Sequence, residues 1–207
     1  MHVYLIRHAQ CEINVLLDSA SRTRRLSRTA FNVLISSATE SPLTPAGVMQ
    51  AQRLAQCFVG RRLDRLYTSP LPRAVATATM LSETTNVAFQ MIEDLRELRS
   101  VPLREGASEF ALWQLFWHSY TLTLFSPISL DTFGLVYQRA RTVWNQITRE
   151  PAEAIAVVSH GMFLRFLLLS VWTDRRWRIV SRDLTNCGVS LIVPRRSESS
   201  LEVRNRA

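Results

Sequence analysis

Residues 3 to 10 read Val3-Tyr4-Leu5-Ile6-Arg7-His8-Ala9-Gln10, an apolar run that stops at an arginine and a histidine. Nearly continuous hydrophobicity is what a strand buried on both faces requires. Residues 2 to 7 are therefore expected to form a central strand ending at His8. An Arg-His dipeptide alone carries little weight in a chain this rich in arginine. A second apolar run far downstream, Ala154-Ile155-Ala156-Val157-Val158-Ser159, ends the same way at His160-Gly161. Two strands thus deliver two histidines to two strand ends, and Arg7 beside His8 suggests a phosphate-binding nucleophile site.

Outward from these strands, Thr44-Pro45-Ala46-Gly47 has the form of a helix start, with Thr44 as N-cap and Pro45 in the first helical position. That helix is expected to run to about Val59, with Val48, Ala51, Leu54, Ala55 and Phe58 on one face and Gly60 at its end. A second strand is expected over Leu63 to Thr68. Ser69-Pro70-Leu71-Pro72-Arg73 then turns into a helix reaching about Glu83. A weak third strand, Ala88 to Ile92, leads into Glu93-Asp94-Leu95-Arg96-Glu97. Helices are also expected over Thr132 to Thr148 and Met162 to Trp172. Val189 to Val193 and Leu201 to Val203 read as a hairpin closing one side of the sheet.

Two segments are harder to read. Residues 15 to 42 hold Arg22, Arg24, Arg25 and Arg28 among many serines and threonines. They are expected to form a solvated loop with one short helix over Ala30 to Ile35, the alternative being a basic lip that attracts an anionic substrate. Residues 108 to 125 carry Phe110, Trp113, Phe116, Trp117, Tyr120 and Phe125 at mostly helical spacing. This stripe is expected to be core, with an apolar lid over a pocket as the alternative.

Strands alternating with helices predict a three-layer α/β/α sandwich with a mostly parallel central sheet. The chain is expected to be a single domain, 1–207, with a helical lid insertion at about 107–130. In such sheets ligands bind outside the carboxyl ends of the strands. His8, Ser69 with Arg73, Glu97 and His160 each follow a predicted strand, so they are expected to gather at one edge.

A chain of 207 residues can bury roughly 70% of its unfolded surface, enough for a core and an enclosed site. All 25 basic residues are arginine, the net charge is +8 and the pI about 10.6. The absence of lysine excludes Schiff-base chemistry and a lysine-bearing P-loop. Cys11, Cys57 and Cys187 are odd in number, widely spaced and without metal-ligand spacing, which predicts reduced thiols and a cytoplasmic protein. No signal peptide is expected ahead of the first strand. The run Met162 to Trp172 is too short to span a bilayer, so no membrane partner is expected.

Brought together, these residues make two histidines, two arginines and one carboxylate. His8, His160 and Glu97 could in principle hold zinc. Arg7 and Arg73 argue against a dication and for a dianion, because planar guanidinium forks match phosphate oxygens. No metal and no cofactor are expected. A neutral His8 could attack phosphorus in line, provided an acceptor fixes its tautomer. Arg7, Arg73 and His160 would stabilise the transferring group, and Glu97 would first protonate the leaving oxygen and then activate water. Glu93, Asp94 and Glu105 compete for that acid role.

The stretch LIRHAQCEIN at 5 to 14 resembles the opening motif of the histidine phosphatase superfamily, also called the phosphoglycerate mutase-like family. In the family's order follow LTPAGVMQA at 43 to 51, YTSPLPRAVATA at 67 to 78, LREL at 95 to 98, VVSHG at 157 to 161, and Asn186. The resemblance implies a phosphoglycerate mutase-like fold in which His8 accepts the phosphoryl group. Arg7, Arg73 and His160 would bind that group, Gly161 belonging to the same binding set. Asn14 would add a phosphate contact, and Glu97 would stand where the proton donor lies. Two departures are Ala9 in place of the frequent glycine and RSVPLREG after Glu97 in place of the usual Gly-x-Trp-Glu-Gly.

The expected function is therefore a metal-independent phosphomonoesterase acting on a small phosphorylated metabolite through a phosphohistidine. Phosphoglycerate mutase-type transfer and a silent phosphate-binding regulatory domain are the alternatives. Because Ser108 to Leu124 contains aromatics and no arginine, a less polar leaving group is favoured. Nucleic acid is not an expected partner, since no aromatic-interleaved basic motif is present. A homodimer is left open.

Overall fold

The computed structural model describes residues 1–20 and 24–195. In chain order its elements are β1 (His2–Arg7), α1 (Glu12–Ala20), β2 (Arg25–Ser27), α2 (Arg28–Ser37), α3 (Pro45–Gln56), β3 (Arg65–Thr68) and α4 (Pro72–Thr85). They continue with β4 (Phe89–Met91), β5 (Glu109–Ala111), α5 (Leu112–Phe125), α6 (Phe133–Thr148), β6 (Ala154–Ser159), α7 (Gly161–Thr173), β7 (Trp177–Ser181) and β8 (Val189–Pro194).

Six strands form one sheet in the order β4-β3-β6-β1-β8-β7. The pairs β1–β6, β3–β6 and β3–β4 are parallel, whereas β8 runs antiparallel to both β1 and β7. This is the α/β sandwich with a mostly parallel sheet that the alternating pattern predicts. Alternate residues of the central strands feed two cores. Val3, Leu5, Ile155 and Val157 pack with Val136, Val143 and Trp144 of α6 and Phe163, Leu164 and Leu167 of α7. Ile6, Ala156, Val158 and Leu66 pack on the opposite face with Leu54 and Ala55 of α3 and Ala74, Ala78 and Leu81 of α4. All six residues of β6 are buried, which is why that run reads as continuously apolar.

Helix starts follow local chemistry. The Thr44 hydroxyl accepts from Gly47 N–H ahead of Pro45, and Ser27 caps α2 through Ala30 N–H. Helix α4 begins at Pro72 and ends on Asn86, whose φ of 54° turns the chain out of the helix.

Two expectations are corrected. Residues 15 to 42 are not a loop with one short helix: α1, β2 and a longer α2 occupy most of the described part. β2 pairs with β5, a contact no local pattern announces because each strand has only three residues. β8 pairs with β7 at the sheet edge; the expected strand Leu201 to Val203 lies outside the described residues. The aromatic stripe is core only in part: Phe110 and Phe116 pack against a buried cluster, Phe116 edge-on to Phe31. Trp113, Trp117 and Phe125 are exposed, while Leu112, Leu115, Ser119 and Thr123 are the buried positions. Around Leu112 and Leu115 a third cluster forms with Phe31 of α2 and Leu103. No helix among the described residues is long and apolar enough to cross a membrane.

Candidate active site

Strand register brings the predicted residues to one edge. Arg7 lies opposite Ser159, and Thr68 lies opposite Val158. His8, Ser69 and His160 therefore leave three adjacent parallel strands at the same end. Past that edge opens a cavity of about 390 Å³ whose lining includes Arg7, His8, Asn14, Arg73, Glu97 and Gly161. His160 does not line it. Its ring is wholly buried against that of His8, with centroids 5.0 Å apart.

The contacts of His8 admit one tautomer. Nδ1 is 2.7 Å from the carbonyl oxygen of Ala9, which can only accept, so Nδ1 carries the hydrogen. Nε2 is 3.2 Å from Arg73 Nε, which can only donate, so Nε2 presents a lone pair. Burial, together with the charge of Arg73 and then Arg7, lowers the His8 pKa to about 3 against the opposing Ala9 contact. The imidazole is thus neutral at ordinary pH with its free nitrogen at the cavity floor.

The cations around it are held by carbonyls. Arg73 Nη1 donates to Ala38 O at 2.9 Å and Thr39 O at 3.2 Å, both in the turn after α2. Arg7 Nη1 donates to Leu184 O, whereas its Nε is buried without a partner among the described residues. The loop before β8 also grips the nucleophile strand: Cys187 N–H donates to Arg7 O, and Asn186 Nδ2 donates to the carbonyl of His8 and to Asn14 Oδ1. Asn14 Oδ1 accepts from Cys11 N–H as well. His160 Nε2 meets Ser69 Oγ at 2.7 Å, and its Nδ1 has no partner among the described residues. Burial first, then His8, Arg73 and Arg7, hold the His160 pKa well below the usual histidine range.

Glu97 stands at the start of α7. Its Oε1 accepts from the N–H groups of Leu98 and Phe163, and its Oε2 from Met162. A carboxylate offers about four lone-pair positions. The one left over belongs to Oε2. Of the competing acids, Glu93 is exposed and paired with Arg96, and neither Asp94 nor Glu105 lines the cavity. Arg24, Arg25 and Arg28 do not line it either. Arg25 instead donates to Glu109 O and Arg28 lies over the Phe110 ring, fastening β2 to β5. Arg22 lies outside the described residues. His118 is exposed and away from the cavity.

Such a floor can receive a tetrahedral dianion: a fixed lone pair, two guanidinium groups and an acid within one recess. The profile of the histidine phosphatase superfamily (branch 1) matches residues 3–207. The chain belongs to the histidine phosphatase superfamily. A relative from Hydrogenobacter thermophilus bearing the name "Putative phosphoserine phosphatase 2" is 26% identical over 99% of this chain and 95% of its own length. Among solved structures, Bacillus stearothermophilus YhfR aligns with a TM-score of 0.65 and 24% identity over 92% of this chain and 89% of its own. A phosphoglycerate mutase from Bacillus anthracis aligns with a TM-score of 0.64 and 18% identity over 94% and 88%. Both share the fold.

Several residues of this histidine phosphatase site escape sequence reasoning. Thr77 Oγ1 accepts from Ala9 N–H at 3.1 Å and donates to Arg73 O, so it ties the residue after His8 to the helix bearing Arg73. Its position four after Arg73, on the same helix face, was the available signal. Gly47 has a stricter reason to be glycine. A Cβ there would stand 1.9 Å from Gln10 O, so α3 packs directly on the backbone after the nucleophile. Arg96, Arg99, Ile13 and Ile35 line the outer cavity, together with Phe116 and Tyr120, for which the lid alternative allows. Burial pushes the Tyr120 hydroxyl pKa up. These contributors come from four separate segments, and no spacing rule connects them.

Proposed function

We propose that this histidine phosphatase is a metal-independent phosphomonoesterase that hydrolyses a small phosphorylated metabolite through a phosphohistidine at His8. The observation that carries the reading is the neutral His8 ring, with Nδ1–H tied to Ala9 and the Nε2 lone pair at the cavity floor beside Arg73. An arriving phosphoryl oxygen takes the Arg73 Nε–H, which frees the lone pair. Nε2 then bonds to phosphorus as the bond to the leaving oxygen breaks, and Glu97 gives that oxygen a proton from Oε2. Water next attacks phosphorus while Glu97 takes its proton, and the phosphorus–nitrogen bond breaks to release phosphate and neutral His8. Arg7, Arg73, Asn14, His160 and Gly161 form the binding set, and each donor to the transferring oxygens contributes roughly 100- to 1000-fold in rate.

The lid we assign to about residues 107–130 presents Phe116 and Tyr120 to the cavity, while Arg96 and Arg99 add charge from the segment before it. Those two arginines move the preferred leaving group from the less polar one expected from sequence toward one with an anionic arm. The curated relative's name includes phosphoserine, a compound of that kind. We place the protein in the cytoplasm, a reading supported by its free Cys11, Cys57 and Cys187.

The test is hydrolysis of an aryl phosphate in EDTA by wild type, His8→Ala and Glu97→Ala. Turnover that survives chelation, disappears without His8 and falls without Glu97 is expected. Turnover that chelation abolishes would refute metal independence, and full activity of Glu97→Ala would remove it from the acid role. Phosphoserine and phosphoethanolamine, which differ by one carboxylate, read the contribution of the anionic arm in the same assay.

A further inference from the structure

Ser69 is the first residue after β3, wholly buried, and its hydroxyl has two neighbours. Leu71 N–H donates to Oγ at 3.3 Å, and His160 Nε2 lies 2.7 Å away. The second contact can be made in two ways. If the hydroxyl donates to Nε2, Ser69 is fully used, the ring hydrogen sits on Nδ1, and one buried group is unmatched, the Nδ1–H. If Nε2–H donates to Oγ, the hydroxyl hydrogen has no acceptor among the described residues and the Nδ1 lone pair is unmatched too. Buried polar groups are rarely left unpaired, so one orphan is favoured over two.

The remaining orphan has company. Arg7 Nε is also buried without a partner among the described residues, and a Cβ on Gly161, the residue after His160, would stand only 3.4 Å from it. Two unmatched donors thus belong to residues next to His8: Arg7 precedes it in the chain, and the His160 ring centroid is 5.0 Å from its own. A phosphoryl group arriving at His8 brings the acceptors that both donors lack.

We propose that Ser69 is a positioning residue whose hydroxyl donates to His160 Nε2, fixing the Nδ1–H tautomer with which His160 donates to the phosphoryl group on His8. The tautomer half of this rests on hydrogen-bond geometry alone, and the donation to phosphoryl rests on the function proposed above. A tautomer held by a third group is a recurrent requirement of catalytic imidazoles. No charge need change in the buried His160 ring during the cycle.

The experiment is nitrogen-15 NMR on histidine-labelled wild type, Ser69→Ala and Ser69→Thr, followed by orthovanadate inhibition of aryl-phosphate turnover. In wild type, His160 Nδ1 is expected to be protonated and Nε2 to read as a hydrogen-bonded lone pair. Ser69→Ala should lose that signature, bind vanadate at least about tenfold more weakly and lose more in kcat than in KM, while keeping its fold by circular dichroism. Ser69→Thr, which retains the hydroxyl, should keep the signature. A protonated Nε2 in wild type would overturn the proposal, as would a folded Ser69→Ala with unchanged vanadate affinity and kcat. A wild type with Nδ1–H but no turnover would count against the phosphatase reading and leave the tautomer assignment standing.

Discussion

At His8 two contacts and near-complete burial define one protonation state, and His160 behind it is buried in the same way. Both imidazoles titrate lower in the folded chain than in the unfolded one. Below the ordinary histidine value of 6.5 the unfolded chain therefore binds more protons than the folded one. Stability from this source is complete above that value and falls as pH drops toward about 3, by up to about 1.4 kcal/mol per pH unit for each histidine. Urea unfolding from about pH 7 to about pH 5 should show the decline, and His8→Gln should reduce its slope. An equal slope in the variant would mean that His8 is not buried in neutral form. At this scale much was legible in the sequence. His8 and His160 declare themselves because each ends an apolar strand. Ser69 and Thr77 do not, because a buried hydroxyl that orients a neighbour looks in sequence like any serine or threonine of a turn or helix.

The elements that place these residues depend on close backbone approaches. Gly47 lets α3 rest on the carbonyl of Gln10, which also accepts Thr44 N–H at 3.1 Å. Gly47→Ala forces that carbonyl or the helix to move, and overpacking of this kind costs roughly 1 to 3 kcal/mol. Thermal unfolding should show the loss, with turnover reduced because Gln10 lies two residues from His8. An alanine variant as stable and active as wild type would contradict the packing. The long helices and central strands follow from periodicity, since their apolar faces meet a sheet or helix throughout. α5 is the exception. Its aromatic spacing describes a face, but that face meets solvent at Trp113 and Trp117 and the cavity at Phe116 and Tyr120, and Phe116 joins Leu112 and Leu115 in the core contact by packing on Phe31. Periodicity reports that a helix has a distinct side; what that side touches is decided by neighbours such as α2, which the arginine- and serine-rich composition of residues 15 to 42 conceals.

Across the whole molecule, a parallel sheet converts distant sequence positions into one edge. Pairing of Arg7 with Ser159 and of Thr68 with Val158 sets the heights at which His8, Ser69 and His160 emerge. That edge could be anticipated from strand ends alone. The cavity's outer wall could not, because Ile13, Ile35, Arg99 and Tyr120 meet only through the packing of loops and helices beyond the sheet. The floor explains why phosphate would be held, and the wall decides what it is attached to. Both depend on the bond that His8 forms. Rapid quenching of turnover at alkaline pH, followed by mass spectrometry of the tryptic peptide that begins at His8, looks for that bond directly. A phosphoryl mass increment localised to His8 during turnover, and lost in His8→Ala, is the result predicted here. Sustained phosphate release from folded wild type with His8 unmodified throughout would contradict it.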